Sequence, residues 1–532
     1  MRITSFAFLG FVLVSLIVFR LFPAKKQWWV LLAMSVAFYL SFSVAGFFVL
    51  IATALLVYLS ALKIQKLKDG CSAWIEENRE TADKTAKKET KARYLKKQKL
   101  VVAGTVAITI GVLFMCKYYG VYASGINVLF GTSIWTAENI ILPLGISYYS
   151  LQLVGYLVDV HRDIAEAEKN PLKVILFGSF FLSIMQGPFN RYGDLMPQIC
   201  ADERKKLTSS DCRMAILKIA GGYIKKLCVA DQFALIADEV FKNYTEYKGA
   251  GLILGVVCFA VQLYADFSGY MDITVGIGQL FGIKMPENFK QPFFSRNMSE
   301  FWQRWHITLG AWLKDYVFYP ILKSNAFKKM GRSLSGKVGK EAARKIPTYI
   351  GMLILWTVIG VWHGAGLHYI FGVGILQFIY IFLGEIFEPL FVRLKKLLHI
   401  DDKKLWWHVF QSLRCTALMM FAWIFFNAQS FGSAILMLKN MPRRPLMRHV
   451  LAVFSAKSID GPYRTLLYFL VCVILIVVVD LLHERGISVR AYVLKKPFPV
   501  RLVFYLALAF ALIIFGAYGD HFVSSDFIYM GF

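Results

Sequence analysis

Long apolar runs recur along almost the whole of this 532-residue chain, at residues 6–22, 28–42, 47–62, 100–116, 141–160, 252–264, 271–281, 349–362, 367–387, 405–426, 466–482 and 500–518. A helix needs about 20 apolar residues to cross the hydrocarbon core of a bilayer. Backbone polar groups cannot be left open in lipid, so only helices or closed barrels cross it. Runs this long and continuous predict an all-α polytopic membrane protein with about ten to thirteen membrane-embedded helices. Composition agrees: 57% of residues are hydrophobic, against about 45–50% apolar in soluble domains.

Charge is scarce, at 18% of residues, yet the net charge is +26. The Lys and Arg residues fall in the gaps between apolar runs, the pattern of cytoplasmic loops lying near anionic lipid. No nucleic-acid-binding motif accompanies the charge, so the basic excess implies a bilayer and not a nucleic acid. The eight cysteines are scattered, with no CxxC or other metal spacing, and read as small apolar residues. The first run leads directly into Pro23-Ala-Lys25-Lys26 and a second run, which predicts a retained first span.

Three spans precede residues 63–99, which hold twelve Lys or Arg and six Asp or Glu. The Lys-Glu interleaving predicts a solvated, basic cytoplasmic helical hairpin and an external N-terminus. Residues 117–139 read as an external loop. Pro143-Leu-Gly145 predicts a bent start to the next span. Residues 175–185 are too short to cross and read as re-entrant or interfacial. Residues 205–226 read as an amphipathic helix at the cytoplasmic surface. The 532 residues form one membrane domain with a core region at 264–368 and a C-terminal aromatic tail at 519–532.

The region 264–368 sets polar residues among aromatic ones: Tyr264-Ala-Asp266-Phe-Ser268-Gly269-Tyr270-Met-Asp272, Pro286-Glu287-Asn288-Phe289, Phe301-Trp302-Gln-Arg304-Trp305-His306 and Val361-Trp362-His363-Gly364-Ala-Gly366. Ionisable groups are expensive inside a membrane and need a partner or a task. Asn297 with Glu300 resembles a capping box and predicts a helix from there through His306 to Phe318, stopped by Pro320. His363 reads either as a neutral imidazole suited to take a proton or as a histidine bonded at a helix end; Gly364 and Gly366 would let a substrate approach the backbone. His306 reads either as lining a polar funnel or as part of an aromatic belt. Asp266 and Asp272 read as capping or stabilising a helix break. No HExxH or cysteine ligand set occurs, so no metal site is expected, and without GxSxG or a P-loop a serine-hydrolase or ATPase reading has no support.

Taken in order, these segments resemble the membrane-bound O-acyltransferase family, most closely its alginate O-acetyltransferase branch, with similarity also to the teichoic-acid D-alanyl transfer proteins. Pro143-Leu-Gly145-Ile-Ser147-Tyr148-Tyr149, Gln186-Gly187-Pro188, Trp423-Ile-Phe-Phe-Asn427 and Phe527-Ile-Tyr529 belong to the same series. The resemblance implies helices in a ring around a central funnel. It implies catalytic roles for His363 and His306, with Arg304, Trp305, Trp362, Gly364, Asp266 and Asn288 as candidates for the substrate funnel. It implies O-acetylation of a cell-envelope or secreted polysaccharide. The donor would be acetyl-CoA or a carrier-bound acyl thioester, with no tightly bound cofactor and no metal. The implied partners are an extracytoplasmic acetyltransferase, the polysaccharide acceptor and an acyl carrier protein, and the implied location is the plasma or inner membrane. Tyr529 is a candidate acyl relay, or else an interfacial anchor. The chain departs from the family pattern in its long basic segment 63–99 and at Asn427, where relatives often carry Arg. Transfer of D-alanine to teichoic acid and solute transport are the alternative functions.

Overall fold

The computed structural model describes residues 1–133, 142–204, 206–443, 450–451, 453–454 and 461–518. His449, His521, Tyr529 and the whole tail 519–532 lie outside the described residues. Among those described the chain is helical, with one isolated β-bridge between Phe289 and Trp305. Among the described residues, eight helices are long and apolar enough to cross a membrane. The Phe498–Phe515 helix buries none of its apolar window and the Pro462–Glu484 helix buries 22%, so both present apolar side chains outward, as lipid-facing helices do. The sequence count of ten to thirteen includes shorter elements that are also helical: Phe6–Leu21, Gln27–Leu40 and Ile146–His161.

Two compact units divide the chain: Met1–Thr208 with Ile277–Pro286, and Ser209–Gly276 with Glu287–Phe532. In the first, the basic hairpin is present but its arms are extensions of spans. Val44–Glu77 is one 34-residue helix and Lys84–Phe130 one 47-residue helix. Asp83 starts the second by accepting from the Ala86 backbone N–H at 2.7 Å. Ser60 and Thr105 hydroxyls meet at 2.7 Å between the two. The expectation of an external loop from residue 117 is corrected: helix runs on to Phe130, where Gly131 in a left-handed conformation (φ 61°) ends it. No proline interrupts that stretch, so low charge alone does not break a helix.

The bent start at Pro143-Leu-Gly145 is present. Gly145 has φ 67°, and a Cβ there would lie 1.8 Å from the Ile184 carbonyl oxygen, so this close approach requires glycine. The short element of residues 175–185 is a nine-residue helix, Pro171–Ser179, followed by a buried turn.

The Ala250–Leu280 helix, whose residues 250–276 belong to the second unit, is unbroken through Asp266 and Gly269. The expected helix break at Asp266 and Asp272 is therefore absent. Both aspartates instead hold lysines: Asp266 pairs with Lys226 at 2.7 Å and Asp272 with Lys225 at 2.7 Å. Gly222 and Gly269 let the two backbones approach, since a Cβ on Gly222 would sit 2.6 Å from the Gly269 oxygen. The surface placement of 205–226 is corrected for its C-terminal end. There Lys226 enters a π-turn, Ile224–Ala230, and is 0% exposed, because Asp266 and Asp231 neutralise it from two helices. Burial disfavours its charge, but those two carboxylates outweigh burial and raise its pKa above the usual lysine value.

Candidate functional site

The Met298–Arg304 helix begins where the capping pattern places it. The Asn297 side chain accepts from the Glu300 N–H at 2.9 Å, while the Glu300 carboxylate reaches back to the Arg296 N–H at 2.9 Å. The predicted continuation through His306 does not occur. Trp305 is extended (φ −112°, ψ 127°) and His306 is left-handed (φ 48°, ψ 50°). A second helix, Ile307–Leu313, then starts and passes into a π-turn, Lys314–Phe318. Pro320 does not stop the chain either, because it sits in the first turn of Tyr319–Lys323, where a missing N–H does no harm. At the break the Arg304 carbonyl and Trp305 turn to an extended segment instead of continuing the helix. Lys290 N–H donates to the Arg304 oxygen at 3.0 Å beside the Phe289–Trp305 bridge. A left-handed non-glycine residue costs of order 1–3 kcal/mol and persists only where its surroundings over-determine it.

His363 is the last residue of the Lys340–His363 helix. The chain turns at Gly364–Gly366 and returns through a π-turn, Ile370–Ile375, into Leu376–Ile386. Glycines bring the two arms together: a Cβ on Gly374 would lie 2.7 Å from the Trp356 oxygen, and one on Gly360 2.8 Å from the Ile370 Cα. π-turns of this kind frequently mark functional sites. The expectation that Gly364 and Gly366 open the backbone to a substrate is corrected. A Cβ at Gly364 would strike the Tyr369 ring at 2.3 Å, and one at Gly366 the His368 ring at 2.2 Å. The chain's own rings fill that space.

His306 and His363 are 57 positions apart in sequence, yet they line one cavity of about 280 Å³. They are 3% and 5% exposed. Trp302, Trp305, Trp356 and Trp423 share its wall. The rings brace one another: Trp302 on Trp356 at 4.9 Å, Trp305 on Trp423 at 5.4 Å, and Phe426 edge-on to His363 at 5.5 Å. Gln377 ties the floor together, accepting from the Trp302 indole at 3.2 Å and donating to the Gly372 oxygen at 3.1 Å. His306 lies outside the eight span-length helices. Burial lowers its pKa to about 3, so its ring is a neutral donor and acceptor and not a standing cation.

The other funnel candidates are dispersed. Trp305 lines the cavity. Trp362 packs edge-on against His363 at 4.9 Å and is not among the lining residues. Arg304 points to carboxylates, with both guanidinium nitrogens on Glu484 at 2.7 and 3.0 Å and one on Glu300 at 2.7 Å. Asp266 is buried in the Lys226 pair. Asn288 borders a second, polar cavity of about 360 Å³ with Lys218, Lys225, Asp272 and Arg490, and its side chain bonds Thr308. Sequence reasoning missed Trp356, Trp423 and Gln377 as lining residues. The amide of Gln377, alone inside an apolar run, was a readable signal. Among the described residues no group of three His, Cys, Asp or Glu side chains is placed to hold a metal ion.

Comparison with known proteins bears on this region. Residues 167–335 match the family model described as MBOAT, membrane-bound O-acyltransferase family. Over this stretch the chain is similar to the membrane-bound O-acyltransferase family. His306 falls within it and His363 beyond its end. The chain is 27% identical over 332 residues to a probable alginate O-acetylase of Pseudomonas syringae, covering 62% of this chain and 58% of the relative. It is 28% identical over 367 residues to the peptidoglycan O-acetyltransferase of Helicobacter pylori, covering 64% of each. It is 32% identical over 238 residues to the teichoic acid D-alanyltransferase of Bacillus subtilis, covering 44% of this chain and 56% of the relative. The matches thus span about half to two thirds of these relatives' lengths.

Proposed function

We propose that this protein is a multi-pass O-acyltransferase of the plasma or inner membrane. It moves an acyl group, in the first place acetyl, from a cytoplasmic thioester to a hydroxyl acceptor for O-acetylation of a cell-envelope or secreted polysaccharide. One observation carries the reading: two buried histidines, distant in sequence, face a single tryptophan-walled cavity. A dry cavity strengthens every electrostatic interaction inside it.

In this mechanism the thioester carbonyl lies beside His363. The imidazole takes the proton of the attacking hydroxyl, and the new C–O bond forms as that proton leaves. The tetrahedral intermediate carries an oxyanion that needs preorganised donors. His306, neutral through burial, donates its N–H there. Collapse expels the thiolate, which recovers the proton from His363. Arg304, engaged by Glu300 and Glu484, holds the Met298–Arg304 helix and takes no part in the proton transfer. Acetyl-CoA or an acylated carrier protein supplies the acyl group, and an extracytoplasmic transferase receives it for the polymer, with Tyr529 as the relay hydroxyl. The names of the alginate and peptidoglycan relatives support acetyl as the group, and that of the D-alanyltransferase supports D-alanyl as the alternative.

The test is thiol release from labelled acetyl-CoA by purified protein in nanodiscs. His363→Ala is expected to lose activity by roughly 100-fold or more, the size of a general-base contribution, while staying monodisperse. Wild-type activity in that variant refutes the mechanism. Release from carrier-bound D-alanine but not from acetyl-CoA moves the donor to the second class.

A further inference from the structure

We propose that Asn288 is a positioning residue for His306, holding the helix break that turns the imidazole into the cavity. The inference rests on the O-acyltransferase reading of that cavity. A helix that starts abruptly leaves its first N–H groups without intrahelical partners. The usual remedy is a side chain at the N-cap position. Here that position is His306, whose ring does not cap the helix. The cap comes instead from a residue 18 positions earlier in the chain. Asn288 Oδ1 accepts from the Thr308 N–H at 2.9 Å and from the Thr308 hydroxyl at 2.7 Å. Its backbone oxygen accepts from the Ile307 N–H at 3.1 Å. Its amide Nδ2 donates to Met271 Sδ at 3.2 Å, which sets which way the amide faces. Asn288 itself is 1% exposed.

Local sequence preference runs the other way. The capping and aromatic pattern of 297–318 predicts one continuous helix, and proline is absent until Pro320. In a continuous helix the Ile307 and Thr308 N–H groups would bond to the carbonyls four residues back. Asn288 takes both of them, so its two acceptors compete directly with helix continuation. The neighbouring rungs, Lys290 to Arg304 and Phe289 to Trp305, need the same break. His306 sits at its centre with φ 48°. Loss of the Asn288 oxygen therefore frees residues 305–308 to rewind and moves the ring before it disturbs the distant cavity wall.

Asn288→Ala, Asn288→Asp and Thr308→Val test this with acetyl-CoA in nanodiscs, or with the carrier-bound D-alanyl thioester if that is the donor. Asn288→Ala is expected to lower kcat by roughly 10- to 100-fold, as a misplacement of about 1 Å does, with KM for the donor within about twofold. Asn288→Asp keeps the acceptor at a helix start that favours negative charge, and its kcat is expected to return to within about fivefold of wild type. Amide exchange over residues 304–310 should quicken in the Ala variant and slow again in the Asp variant. A loss carried by KM, an Asp variant no better than Ala, or unchanged exchange overturns the inference. If Asn288→Ala does not fold, Asn288→Ser decides, because it withdraws the side-chain acceptor from the Thr308 N–H, and a wild-type kcat there overturns the proposal. Thr308→Val keeps both backbone bonds to Asn288 and is expected to hold kcat within about fivefold of wild type; a larger loss would place the effect in the hydroxyl and overturn the helix-break account. His363→Ala runs in parallel. Its full activity refutes the parent reading and this inference with it, whereas an inactive His363→Ala beside a flat Asn288 series refutes the inference alone.

Discussion

His306 combines a left-handed backbone with a fully enclosed ring, and the second property is measurable through pH. An unperturbed imidazole takes its proton near 6.5, but burial delays this to about 3 in the folded protein. Between these values the unfolded chain binds the extra proton and the folded one does not. Stability is therefore fully present above about 6.5 and declines as pH falls toward 3. The thermal midpoint of the detergent-solubilised protein is expected to drop between pH 7 and 5, and to drop less in His306→Gln; equal drops would show that the ring is not buried neutral. His306 and His363 stand out in the sequence because an ionisable side chain among apolar neighbours is costly. Their shared cavity does not, since it depends on a backbone reversal at His306 and a glycine-tight return after His363. Trp356 and Trp423 stayed hidden as lining residues for the same reason.

Helix placement was largely readable at the level of elements, because long apolar runs leave few alternatives. Helix boundaries were less so. The Ala250–Leu280 helix runs straight through a polar stretch that reads as a break. Its charges are matched from another element: Lys226 lies between Asp266 and Asp231 at 2.7 and 2.9 Å, all essentially buried. Removing one partner of such a cluster leaves uncompensated charge in a low-dielectric interior, at a cost of about 3–5 kcal/mol. Lys226→Met, nearly isosteric, should lower the thermal midpoint sharply or abolish monodisperse purification. Lys345→Met, at an exposed i,i+4 pair with Glu341, should change little. Equal behaviour of the two variants would mean that the buried cluster does not hold the helices together.

Across the whole molecule the charge pattern makes a prediction about orientation. The two arms that meet at residues 78–83 extend well beyond the apolar parts of the Val44–Glu77 and Lys84–Phe130 helices. Their Lys-bearing extensions are expected on the cytoplasmic side. In a background with the native cysteines replaced, Lys88→Cys should react with a membrane-impermeant maleimide only after the cells are opened. Labelling of intact cells would invert the topology and place the donor on the wrong face of the proposed reaction.

Composition and side-chain chemistry were enough to establish a helical membrane protein, the segments apolar enough to span, and a polar region in which His306 and His363 carry unusual cost. Those are properties of composition and of single side chains against a bilayer. Tertiary structure alone decided where helices break, which charges pair and which rings share a cavity. Each of these turns on a hydrogen bond or contact between residues far apart in the chain: Asn288 with Thr308, Asp266 with Lys226, Gly360 with Ile370. Local propensity cannot anticipate a partner supplied from another element.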